Sequence, residues 1–255
     1  MYSELIIRPK ALENQILFPN TARDLVGLAC KDLPINPLVF NHDEAGKNIQ
    51  GKFFHPDINN LEARLPKPPV VSFDGGKGFI RIYMLGEPGK ALMEETAPLI
   101  AQALAKHLGG TYSFSLNEGK CTVEEAYNPM LYSIRRLVVS KKTDKYHPDF
   151  FSRPIADSEY DIPKMILRGL LSQAKWLDEN GSFGLANRLP DLDTLGLHIA
   201  EGRPGLMKVK DGINAVGYTH LVFSMNLNLM GPWSAGLLRS RGEGAIRKLI
   251  LGGAR

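Results

Sequence analysis

The chain has 255 residues, 44% hydrophobic and 23% charged, with a net charge of +4 at neutral pH. This length fits one large domain or two of about 100–150 residues, and the composition excludes a disordered or fibrous chain. No apolar run reaches the ~18 residues of a membrane span, and the opening MYSELIIRPK is too interrupted for a signal peptide. Cys30 and Cys121 form neither a disulfide framework nor a metal-ligand spacing, which suits a reducing cytoplasm and predicts no bound metal or cofactor.

The N-terminal half opens on the apolar runs LIIRP and NQILFP. Asn20 is placed to cap a helix over about 21–33, with Leu25, Leu28, Ala29 and Leu33 on one face. Residues 34–69 hold six prolines and no period, an irregular insertion of the kind that usually carries function. PVVSFDGG and GFIRIYMLG then read as two strands joined by a tight turn around Gly76–Gly78. KALMEETAPLIAQALAKHLGG has helical spacing at Leu92, Leu99, Ile100, Ala103 and Leu104, with Gly109 as its stop, and TYSFSLN follows as a strand. The order is β-α-β-β-α-β.

The second half repeats that order. YSIRRLVVSKK alternates as a strand; a polar linker leads to a helix in which Asp161 can cap and Ile162, Ile166, Leu170 and Leu177 form a stripe. LGLHIAEG and THLVFSMNLNLM read as strands, GPWSAGLLRS as a short helix and AIRKLIL as a last strand. Two such units predict an α+β chain of two tandem ferredoxin-like (RRM-like) domains. They divide near 118–131: residues 1–125, carrying the 34–69 insertion, and 126–255, carrying a glycine-rich loop near the C-terminus.

That loop concentrates charge. Residues 231–255 hold Arg239, Arg241, Arg247, Lys248 and Arg255 against Glu243 alone, a surplus equal to the charge of the whole chain. Gly242 and Gly244 are not a dinucleotide fingerprint, because a strand and not a helix follows, and no P-loop motif occurs. Two readings remain: a backbone loop whose N–H groups and guanidinium forks hold phosphates, or a basic helix end with Gly242 as its left-handed stop. Arg135, Arg136, Lys141, Lys142 and Lys145 form a second basic cluster on the first strand of the second half, near Arg247 and Lys248 if the sheet order is 4-1-3-2. Alternation sends Arg135 and Arg136 to opposite faces, and for this cluster taken alone a charged, solvated edge strand is the better explanation. Lys164, Arg168 and Lys175 fall on one helical stripe, either an anion-binding rail or a solvated face.

Among six histidines, His42 and His55 lie in the irregular stretch, His107 closes a helix and His147 lies in a linker. His198 and His220 sit on strands, where side chains of this kind are often simply packed. No pair has metal spacing. If the partner is RNA, His42 best fits a general base for 2′-hydroxyl attack, and an arginine can neutralise the charge developing on phosphorus.

The tandem halves and the run LMGPWSAGLLRSRGEGAI resemble the CRISPR-associated endoribonucleases that process precursor crRNA, most closely the processing subunit of type IV systems. Gln173–Ala174 fits the same family, and the specific match covers mainly residues 220–250. The resemblance implies metal-independent cutting at the base of a repeat hairpin, leaving a cyclic phosphate and a 5′-hydroxyl. The enzyme then stays on the mature crRNA hairpin as a subunit of a larger ribonucleoprotein, with no membrane partner. Family members often carry a catalytic histidine in or after the first helix; here that helix has none. His42, Arg23 and Arg241 are therefore the candidate catalytic residues, and the RNA-binding set is Arg239, Arg241, Gly242, Gly244, Arg247, Lys248, Arg135, Arg136, Lys164, Arg168 and Lys175. The alternatives are a non-catalytic RNA-binding subunit of such a complex, or an unrelated enzyme on a duplicated scaffold.

Overall fold

A computed structural model of the chain describes residues 1–42, 44–45, 68–140, 161–191, 193–210 and 213–249. Most of the 34–69 insertion, His55, His147, Lys141, Lys142 and Lys145 lie outside the described residues. Two compact units form: Met1–Lys120 with Trp176–Phe183 and Ser240–Gly242, and Cys121–Lys175 with Gly184–Arg239 and Glu243–Arg255.

In the first unit the elements are β1 (Tyr2–Pro9), α1 (Pro19–Ala29), β2 (Val71–Gly76), β3 (Phe79–Leu85), α2 (Gly86–Leu108) and β4 (Tyr112–Gly119). They give one antiparallel sheet in the order β2-β3-β1-β4. Alternation along β1 buries Leu5 and Ile7, which join Phe73, Ile80, Ile82 and Met84 under the helices. The turn between β2 and β3 is Lys77–Gly78, with Gly78 at φ +74°. On α2, Leu92, Ile100, Ala103 and Leu104 are buried as expected while Leu99 is exposed, and Gly109 ends the helix at φ +70°.

Helix α1 corrects two expectations. It begins at Pro19 with Phe18 as N-cap, so Asn20 is inside the first turn and not the cap. Proline suits that first position because its missing N–H would have had no helical partner anyway. The buried stripe is Ala22 and Val26, followed by Cys30, with Leu25 and Ala29 packed beside it; Leu28 and Leu33 face solvent. The small Ala22 lets the helix lie close on the sheet, which rotates the larger leucines away.

The second unit contains β5 (Thr122–Ser140), all but the last turn of α3 (Ile162–Glu179), β6 (His198–Lys210), β7 (Ile213–Met230) and β8 (Ile246–Lys248), with sheet order β6-β7-β5-β8. Relative to chain order this is the same ferredoxin-like arrangement as in the first unit. The Asp161 carboxylate accepts the Lys164 N–H at 2.9 Å, the expected cap. Ile162, Ile166, Leu170 and Leu177 are buried, as the stripe predicts.

Two differences from expectation matter. Residues 118–131, read as the connection between halves, are strand from Thr122 onward. Pairing with β7 shifts between Glu125 and Met130, so Ala126–Pro129 leave the ladder as a bulge with Tyr127 fully exposed. The second difference is that GPWSAGLLRS is not a helix. Gly231, Gly236 and Leu238 are left-handed, at φ +95°, +77° and +58°, and Pro232 lacks an N–H donor. The segment forms isolated bridges, Ser234 with Ala245 and Leu237 with Val138, before a single 3-10 turn over Arg239–Arg241.

Candidate functional site

The glycine loop is held by hydrogen bonds that replace those a helix would have made. Ala235 N–H donates to the Gly244 carbonyl at 2.9 Å, Ile246 N–H to Trp233 at 2.9 Å and Gly244 N–H to Arg136 at 3.1 Å. Gly244 sits at φ +75°, where a side chain would collide with the Ala235 carbonyl. Trp233 is buried, and its indole N–H donates to the Met230 carbonyl at 2.8 Å, so it anchors the loop. From α3, the buried Gln173 donates to the Pro232 carbonyl at 2.9 Å and accepts from the Ser234 hydroxyl at 3.2 Å. Gly169, one turn earlier, brings the helix to backbone contact: a Cβ there would lie 2.7 Å from the Ala235 Cα.

Glu243, the acid between the two glycines, is 0% exposed, and both its oxygens accept from the Arg136 Nε, at 2.9 and 3.1 Å. Arg136 itself is left-handed at φ +60° and donates through Nη2 to the Lys208 carbonyl at 2.8 Å. This arginine therefore joins β5, the loop and β6. Arg239 is also buried, with Nη1 3.4 Å from the Gly169 carbonyl, and burial lowers its pKa to about 10, so it remains charged at neutral pH. Arg168 is buried on the flank of α3 that also buries Ser172 and Gln173. The expected rail is thus broken: Arg168 is buried, Lys164 is half-buried and pairs with Asp161 at 3.0 Å, and only Lys175 of the three is exposed. The rail fails because α3 has two buried flanks, one on the sheet and one on the loop, so a spacing of four and seven does not define a solvated stripe.

Within the first unit, Arg23 and Arg241 come together although they are far apart in sequence. Burial lowers the Arg23 pKa, the Arg241 charge lowers it further, and Asp24 opposes both. The Asp24 carboxylate is largely exposed and 3.7 Å away, a weak partner. The Arg23 Nε is buried and has no hydrogen-bond partner among the described residues. Its guanidinium lies 5.7 Å from the centroid of Phe40, which stacks on Phe73 at 6.1 Å. Gly242, at φ +81°, presses backbone against backbone: a side chain there would collide with the Phe73 carbonyl and with Pro19. His42 follows Asn41, whose side chain donates to the Val71 carbonyl at 2.9 Å and accepts from the Val71 N–H at 3.3 Å. The histidine's backbone N–H bonds to Pro37 at 3.1 Å, so its entry into the chain is fixed two residues from Phe40.

The second sheet carries a basic row on the face opposite α3. Register places Arg203 of β6 beside His220 of β7, and His220 beside Arg135 of β5. Arg247 lies opposite Ser133, two positions from Arg135 and so on the same face. Lys248 is exposed and donates to Asn228 at 2.9 Å. Arg203 and His220 were not singled out for this role from sequence, because only strand pairing aligns them with Arg135. Arg203 also pairs with Glu201 at 3.0 Å.

A family model for the type IV CRISPR-associated endonuclease Csf5 matches residues 3–249. The chain belongs to the Csf5 family. A solved structure described as Csf5, a CRISPR-Cas type IV Cas6 crRNA endonuclease, matches it with a TM-score of 0.67 at 22% identity, over 98% of this chain and 99% of that one. A Cas6b crystal structure matches with a TM-score of 0.58 at 15% identity, over 98% and 100% of the two chains. At these identities the two structures show the shared fold, tandem ferredoxin-like halves. No curated protein sequence matches the chain. In this Csf5-family chain the LMGPWSAGLLRSRGEGAI run is the strapped loop just described, and Gln173 is one of its straps. Among the described residues, no three His, Cys, Asp or Glu side chains gather in a metal-binding group, and no helix is long and apolar enough to cross a membrane.

Proposed function

We propose that this Csf5-family chain cuts precursor crRNA at the base of a repeat hairpin by 2′-hydroxyl attack, with no metal, and keeps the product hairpin within a ribonucleoprotein. The observation that carries this reading is the pairing of Arg23 with Arg241. The mostly buried Arg23 guanidinium feels the Arg241 charge, has in Asp24 an exposed carboxylate 3.7 Å away, and keeps one buried N–H with no acceptor among the described residues. Like charges are brought together in this way where an anion is to be held. A scissile phosphate fits: the 2′-oxygen forms a bond to phosphorus, the bond from phosphorus to the 5′-oxygen breaks, and the extra negative charge of the phosphorane meets the arginines. The 2′ proton passes to a base, for which His42 is the histidine that follows the first helix most nearly in sequence, and the departing 5′-oxygen takes up a proton from the protonated base or from water.

Arg135, Arg203, Lys248 and Lys175, which are exposed, and the half-buried Arg247 supply charge for the salt-dependent part of RNA binding, with His220 between Arg135 and Arg203. Arg136, Arg168 and Arg239 serve the same end indirectly, by shaping the loop from inside. The test is incubation of repeat RNA with the protein in EDTA. A single cut ending in a cyclic phosphate is expected, and Arg23→Ala or Arg241→Ala should slow it by about 10²–10³ while RNA affinity falls far less. Tight binding of intact RNA would support the non-catalytic alternative, and wild-type rates in both variants would remove the arginines from the chemistry.

A further inference from the structure

Strand β4 is an edge of the first sheet, and one of its faces carries Tyr112, Phe114 and Leu116. Register sets them opposite Pro9, Ile7 and Leu5, so they continue the face that the helices cover elsewhere. On β4 that cover is missing: the three side chains are 39%, 47% and 48% exposed. The two rings stand nearly parallel, with centroids 6.3 Å apart and planes 19° apart. Exposed aromatic neighbours of this kind are uncommon unless something stacks on them.

The charge around them says what that is. Lys106 and His107 form the exposed last turn of α2, and only Gly109, Gly110 and Thr111 separate that helix from Tyr112. Lys10 is exposed, and its backbone N–H donates to the Thr111 carbonyl at 3.0 Å. The acid of the strand, Glu118, lies at the far end and is paired with Lys90 at 3.1 Å. Rings with cations at one end match bases with phosphates beside them, whereas a stable protein partner needs about 800 Å² on each side.

We propose that Tyr112 and Phe114 are a stacking platform for a single-stranded flank of the RNA, with Lys10, Lys106 and His107 on its phosphates. This rests on the RNA-processing reading above and extends it to a part of the RNA that the cut site does not touch. Each ring takes one base by its face and reads no sequence, so the platform accepts flanks of any composition.

The experiment compares binding of a non-cleavable repeat hairpin with and without a single-stranded extension, by fluorescence anisotropy. The extension tightens binding to the wild-type protein. Tyr112→Ala and Phe114→Ala each remove at least about fivefold of that gain, and leave both the bare-hairpin affinity and its cleavage unchanged. Tyr112→Phe retains the ring and the gain. Lys10→Ala with Lys106→Ala, which leaves the sheet intact, lowers the salt dependence of flank binding. An extension that adds no affinity, an equal loss for both RNAs, or a wild-type dimer that the Tyr112 and Phe114 variants dissociate would each overturn the platform. Cleavage of the bare hairpin is a separate readout, so its failure would count against the proposed function alone.

Discussion

The two sheets share a strand order and differ in what lies over them. Among the described residues, the first has strands of 6 to 8 residues and two α-helices; the second has β5, β6 and β7 of 19, 13 and 18 residues and one α-helix. Where the first unit places α2, the second places the irregular segment from Gly231 to Ala245. A helix satisfies its own backbone, whereas an irregular segment must borrow partners from its surroundings. In the second unit those partners are Gln173, Glu243 and Arg136, so its stability depends on a few polar side chains. The first unit depends instead on continuous apolar burial. The loop's shape is thereby fixed without using the helical geometry that would have kept its backbone away from a ligand.

This contrast can be broken most sharply at Glu243. Glu243→Gln removes this counter-charge from Arg136 in a largely buried place and should cost about 3 kcal/mol in urea unfolding. Adding Arg136→Met should return part of that loss. Gln173→Ala comes next: it leaves the Pro232 carbonyl and the Ser234 hydroxyl without this partner, and about 2 kcal/mol is expected from the same measurement. If neither change destabilises the protein, the loop is not held by these bonds and the contrast between units falls. The smallest effect sharpens it. Burial pushes the Cys30 thiol up to about 11 and the Cys121 thiol up to about 12, and both are buried, one in each unit. Since the thiolate is the reactive form, neither should alkylate appreciably at pH 8 in the native protein, and both should in urea. Mass spectrometry of partial labelling then ranks the opening of the two units, and rapid native labelling of either thiol would contradict its burial.

The first unit was readable because its elements carry simple periods: alternation in IRIYML, helical spacing in α2 and glycine at both the hairpin and the helix stop. The start of α1 was misplaced because Asn20 is a common cap, while the proline before it fills the first helical position. In the second unit GPWSAGLLRS mimics a helix in its leucines, yet its two glycines and proline mark left-handed and donor-free positions. Of the candidate site, the identity of the loop came from motif and element order; Arg23 and Arg241 were candidates singly, and only the fold brings their charges together. Which arginines are buried could not come from charge alone. Arg136 and Arg239 look like surface cations in the sequence, and only the depth of the loop shows them as internal supports. Arg203 and His220 became visible through strand register, which no short motif encodes.

The excursion at Ala126–Pro129 has a practical consequence. Its four residues stand outside the ladder between Glu125 and Met130, and the N–H of Asn226 across from them is already taken by the Leu195 carbonyl at 3.1 Å. A dye or a short tag grafted at Tyr127 would therefore displace no pairing bond. That gives an engineering handle for following the proposed RNA loading while Arg23 and Arg241 remain unmodified.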